Sequence, residues 1–194
     1  MHSKAWSGTI TYSFPALASI YGTAASYGGY DLTTSVLGLE IPNALGFFKP
    51  ATTSLVDAAR YTLEGKQPGG ILAANYGFSI EGFTLANIVA STPGTTTIRM
   101  GLTEFANDGY GGVAGLPSTD FRAGDIWLND DINLTARAGN KAWLNVIHEI
   151  GHAMGLKDPT VAAIDGMEHT VMSYHSYVGA TQTYSNETWG FAQT

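Results

Sequence analysis

Residues 148–158 read His-Glu-Ile-Gly-His-Ala-Met-Gly-Leu-Lys-Asp, and this run restricts the chain more than any other stretch. His148 and His152 lie one helical turn apart, so on a helix both imidazoles leave the same face and can bind one ion. Glu149 follows about 100° round the helix. There it can reach a metal-bound water without serving as a ligand. Gly155 tolerates a left-handed backbone, which ends the helix and folds the chain back. Asp158 then comes within reach as a third ligand. The pattern predicts a zinc hydrolase: three protein ligands and one open position make a catalytic site.

A pair of surface histidines can share this spacing, so the surroundings matter. Residues 141–154 form the strongest helical pattern in the chain, with Trp143, Ile147, Ile150 and Met154 as an apolar stripe and the histidines on a neighbouring face. The spacing to Gly155 and Asp158 is met as well, which favours the metal over the surface pair. An ion held there would lower the pKa of water towards about 7 and polarise a carbonyl. Glu149 would take the water's proton and pass it to a leaving amine, which is the chemistry of peptide hydrolysis.

Composition excludes other classes. A net charge of -7 with only 9 Lys and Arg lacks the clustered basic surface that nucleic acid requires. No apolar run approaches the 18 residues of a membrane span. Without cysteine there is neither a disulfide nor a thiolate zinc site. Hydrophobic residues at 44% and charged residues at 13% fit one globular domain, and 24 glycines imply many turns and close backbone approaches. The opening Met-His-Ser-Lys-Ala-Trp-Ser-Gly lacks the apolar core of a signal peptide, and His2 reads as an end residue rather than a ligand.

Alternation of Ile10, Tyr12 and Phe14 with Thr9, Thr11 and Ser13 predicts a first strand, ended by Pro15. Residues 16–50 read as a long irregular excursion. Residues 54–63 predict a helix with Leu55, Ala59 and Leu63 on one stripe and a capping box from Ser54 to Asp57; Gly65, Pro68, Gly69 and Gly70 then break it. Further strands are predicted at 83–90 and 95–102, separated by a turn at 91–94, and at 111–116 and 124–129. No calcium-binding glycine- and aspartate-rich repeat is present.

The zinc motif, together with Thr170-Val171-Met172-Ser173-Tyr174, resembles the metzincin zinc peptidases, whose methionine turn lies beneath the metal. Within that family the wording is most similar to the serralysins, bacterial secreted endopeptidases. The opening Ile10-Thr11-Tyr12-Ser13-Phe14, the Gly124-Asp125-Ile126-Trp127 strand and Met172-Ser173-Tyr174 carry that likeness in the family's order.

The resemblance implies an α+β domain with a twisted, mostly parallel sheet, a backing helix and an active-site helix. Residues 1–154 would form the upper subdomain and 155–194 a small irregular lower one, shortened at its end. It implies Zn2+ held by His148, His152 and Asp158, with Glu149 as general base. Met172 would be the hydrophobic floor, and Tyr174 the donor to the oxyanion. It implies a secreted enzyme, a protein or peptide substrate lying extended along the edge strand at 111–117, and a possible propeptide or protein inhibitor. The chain departs from serralysins in having Asp158 where they have histidine; His169 and His175 are the other candidates for third ligand. It also ends at Thr194, where serralysins continue into a calcium-binding repeat domain. The alternative to the endopeptidase is a zinc-containing but catalytically weak binding domain of the same fold. A structural module with a coincidental motif is the more distant rival.

Overall fold

The computed structural model describes residues 5–21, 34–36, 39–41, 45–66, 79–105, 110–131 and 134–181. His2, the breaker at 68–70 and residues 182–194 lie outside them. The architecture is α+β, with a mixed and mostly parallel sheet of six strands and few helices. The strands are β1 (Ile10–Ser13), β4 (Lys49–Pro50), β5 (Ile88–Ala90), β6 (Ile98–Thr103), β7 (Gly112–Ala114) and β8 (Asp125–Asn129). They run in the order β5-β1-β6-β8-β7, with β4 pairing antiparallel to the far end of β6. β1 is parallel to both β5 and β6, and β6 to β8; β7 closes the edge antiparallel to β8.

The alternation at residues 10–13 becomes β1 as expected. The strand expected at 83–90 is shorter, because Ser79 accepts a hydrogen bond from the Gly82 amide (3.1 Å) and starts a helical turn, α2 (Ile80–Phe83). The strand expected at 95–102 begins only at Ile98, since Thr97 and Thr11 exchange side-chain to backbone hydrogen bonds instead of ladder bonds. β5 ends and β6 begins opposite the same residue, Tyr12. Residues 91–97 can therefore link two parallel-running strands without a crossover helix. The described residues of the excursion at 16–50 hold regular structure that its composition does not predict: a 3-10 turn at Ala18–Tyr21, an antiparallel pair of β2 (Thr34–Val36) and β3 (Leu39–Ile41), and β4.

Helix α1 (Thr53–Glu64) has Leu55, Ala59 and Leu63 buried on one stripe, with Gly65 closing it at a positive φ of 72°. The expected capping box does not form. Thr52 occupies the cap without a side-chain bond to a helix amide, its hydroxyl donating instead to the Leu134 carbonyl (3.2 Å). The Ser54 hydroxyl also donates to that carbonyl (3.0 Å) and accepts from the Ala136 amide (3.2 Å). Ser54 thus ties to α1 the loop that precedes the long helix at Lys141–Ala153.

That long helix, α3 (Lys141–Ala153), is capped by Asn140, whose side chain accepts the Trp143 amide (3.0 Å). It packs on α1 and across β7 and β8. Of the predicted stripe, Ile150 is fully buried and Trp143 and Met154 pack half-buried against the core, while Ile147 is half-buried outside that cluster. Ala142, Val146, Ile150 and Ala153 enter the core. These four meet Met100, Leu102, Ile126 and Leu128 from one sheet face. On the opposite face Trp127, Tyr21, Val113 and Phe105 form a smaller cluster. Arg99 lies on that face too, doubly bonded to Asp125 (2.6 and 2.7 Å). Cover on both faces explains why every residue of β6 and β8 is buried. Among the described residues no helix is long and apolar enough to cross a membrane.

Candidate metal site

The C-terminal end of α3 builds the site. Its last turn ends in two reciprocal backbone bonds, Gly155 N to His152 O (2.8 Å) and Leu156 N to Gly151 O (2.9 Å). This pairing satisfies the final carbonyls and requires a left-handed residue at 155, where φ is 103°. The turn aims the Leu156 carbonyl back at the helix, where it accepts from His152 Nδ1 at 2.9 Å. His148 Nδ1 makes the equivalent bond to the Val171 carbonyl at 3.0 Å. A carbonyl can only accept, so both Nδ1 atoms carry a proton, and in the neutral ring each Nε2 presents a lone pair.

Both lone pairs face Asp158, which the chain reaches after the turn. Its Oδ1 lies 3.4 Å from His148 Nε2 and 3.5 Å from His152 Nε2. These separations are longer than hydrogen bonds, which run at about 2.7–3.2 Å. They match the edge of a tetrahedron: ligands bound at about 2.0–2.1 Å stand about 3.4 Å apart. All three donor atoms lie within 4.8 Å of one another, and His148 Nε2, though buried, has no hydrogen-bond partner. Two imidazoles and one carboxylate suit a first-row transition ion better than Mg2+ or Ca2+. The group could therefore hold a metal ion. His175 turns its Nδ1 to Asp165 (3.1 Å), and His169 stands beside Glu168 (3.7 Å), so neither alternative third ligand joins the group.

Glu149 is 5% exposed, packed against the edge strand, with Oε2 unpartnered. Burial pushes its carboxyl up to about 8; His148 opposes the rise and Asp158 adds to it. The two imidazoles shift oppositely. At His152 burial wins and lowers the pKa; at His148 burial pulls down but is outweighed by Asp158, Glu149 and the Val171 carbonyl. The close fit of Glu149 depends on glycine, because a Cβ at Gly112 would stand 2.9 Å from Glu149 Cγ and 2.8 Å from Leu128 Cδ2.

Beneath the helix, Met172 is buried with its sulfur against Gly151, between the two histidines, where no Cβ would fit. Tyr174 is half-exposed, its ring 5.0 Å from that of His148. The structure thus brings His148, Glu149, His152, Asp158, Met172 and Tyr174 together. Sequence reading passed over four contributors. The carbonyls of Leu156 and Val171 are invisible to any residue-type search. Asn145, buried with an unpartnered Nδ2, could have been noticed as the residue one turn before Glu149. Asp165, which binds both neighbours of Tyr174, carries no local signal. In comparisons with known proteins, no family model matches the chain and no curated protein matches its sequence.

Proposed function

We propose that the chain is a zinc-dependent endopeptidase of metzincin type, similar to the serralysin catalytic domain, acting on extended protein or peptide substrates. One observation carries this reading. Two imidazoles, each locked by a backbone carbonyl, converge with Asp158 at tetrahedral spacing, while a buried carboxyl follows the first histidine on the same helix. On this reading 1–154 is the upper subdomain, 155–194 the lower one, and the enzyme is secreted.

His148, His152 and Asp158 would hold the Zn2+, which when bound supplies Lewis-acid polarisation of the scissile carbonyl and a more acidic water. Glu149 does the proton work. Its buried Oε2 has no competing partner, so it accepts a proton from water and returns it to the departing amine. Tyr174, whose ring lies 5.0 Å from that of His148, would donate its phenol hydrogen to the oxygen that becomes negative. Among the described residues no strand pairs with the outer edge of β7, and an extended peptide would add there.

The test is zinc content together with cleavage of a quenched fluorescent peptide, with a chelator control. We expect about one zinc per chain and chelator-sensitive cleavage. Glu149→Gln should keep the zinc and lose roughly 10²–10⁴-fold in kcat. Zinc without cleavage would favour the weak binding domain, and absence of zinc would overturn the metal reading altogether.

A further inference from the structure

The segment from Met172 to His175 alternates in its contacts. Met172 turns to the helix and Tyr174 to His148. Ser173 and His175 both turn to one carboxylate, that of Asp165. The Ser173 hydroxyl, fully buried, donates to Asp165 Oδ1 at 2.7 Å and accepts the His175 amide at 3.0 Å. His175 Nδ1 lies 3.1 Å from Asp165 Oδ2, and the His175 carbonyl accepts the Met167 amide at 2.8 Å. Both residues flanking Tyr174 are therefore tied to a single side chain that makes no contact with the three donor groups. Charge-assisted bonds of this kind are stronger than neutral ones, so the tether resists rotation of the loop.

We propose that Asp165 is a positioning residue: by gripping Ser173 and His175 it holds the Tyr174 phenol beside His148 and sets its reach toward the substrate oxyanion. The inference rests on the peptidase reading for its consequence, but not for its geometry. A structural tether alone would stabilise the loop wherever Tyr174 pointed. A positioning tether acts through Tyr174, and its effect vanishes once the phenol hydroxyl is gone.

The experiment combines two measurements on the zinc-loaded chain. The first follows the His148 imidazole resonances by NMR in histidine-labelled protein. These feel the Tyr174 ring, and Tyr174→Ala marks their position without it. Asp165→Ala should move them toward that position, whereas Tyr174→Phe, which keeps a ring, should not. The second is a kinetic cycle on the peptide substrate. Asp165→Ala should lower kcat on the order of tenfold with KM nearly unchanged, and should cause no further loss in a Tyr174→Phe background. Ser173→Ala, which removes only a hydroxyl, should act in the same direction and decides the matter if Asp165→Ala fails to fold. Unmoved His148 resonances, or an equal kcat loss in both backgrounds, would overturn the proposal. Absent cleavage by the unaltered protein would sink the peptidase reading instead, while the resonances still judge the tether.

Discussion

Asp158 is the residue on which the chemistry of this site turns. Histidine at that position would leave the ion its full double charge, whereas a carboxylate neutralises part of it. A less positive ion withdraws less electron density from bound oxygen, so ionisation of its water moves up in pH. We expect Asp158→His to shift the pH–rate profile toward acid, measured as kcat/KM across pH 5–10. Identical profiles for the two proteins would show that the charge of the third ligand does not control the rate. The fit of Asp158 does not depend on which profile is found. Its carboxylate stands at nearly equal distances from the two Nε2 atoms, 3.4 and 3.5 Å.

Among the elements, the pairing of α3 with β7 decides where Glu149 sits. Gly111 lies against the side chain of Asn145, and Gly112 against Glu149 and Leu128, so helix and edge strand approach more closely than any other residue pair would permit. We expect Gly112→Ala to cost about 1–3 kcal/mol of stability by overpacking. It should also reduce kcat more than KM rises, because the new methyl displaces the base rather than the substrate. Thermal melting and steady-state kinetics on the same preparation would check both halves. A variant that melts earlier with unchanged kcat would show that Glu149 tolerates the shift. The glycine richness of 111–116 was legible in the sequence. Its purpose was not, since a glycine-rich stretch looks the same whether it makes a turn or admits a neighbour.

At the scale of the whole molecule, two buried tyrosines link the core to alkaline pH. Tyr12 joins β1 to the end of α1 by donating to Glu64 Oε2 at 2.5 Å, and Tyr21 packs on Trp127 across the other sheet face. Burial, and for Tyr12 the Glu64 carboxylate, raises the Tyr12 pKa well above 10. Burial and Asp125 do the same for Tyr21, against the pull of Arg99. A pKa raised by folding contributes stability below the unfolded value, near 10 for tyrosine, and loses it as pH rises further. We therefore expect the melting temperature to fall above about pH 10, and Tyr12→Phe to flatten that fall. Equal slopes for the two proteins would mean that Tyr12 ionises as freely in the fold as outside it.

The sequence by itself determined the helix predicted at 141–154, which forms over 141–153, its glycine stop and four of the site's polar groups, His148, Glu149, His152 and Asp158, because helical periodicity and ligand spacing are local properties of the chain. It also determined β1 and the α1 stripe, for the same reason, whereas the α+β class came from the resemblance. Only the tertiary structure decided the rest. Which nitrogen of each histidine bears the proton depends on carbonyls at Leu156 and Val171, the latter 23 residues away from its partner. That Ser54 tethers a distant loop instead of capping its own helix depends on Leu134 and Ala136 arriving beside it. Asp165 becomes informative only once its two partners fold back on it. In each case the deciding contact joins groups brought together by packing, and residue type alone does not encode who the neighbour will be.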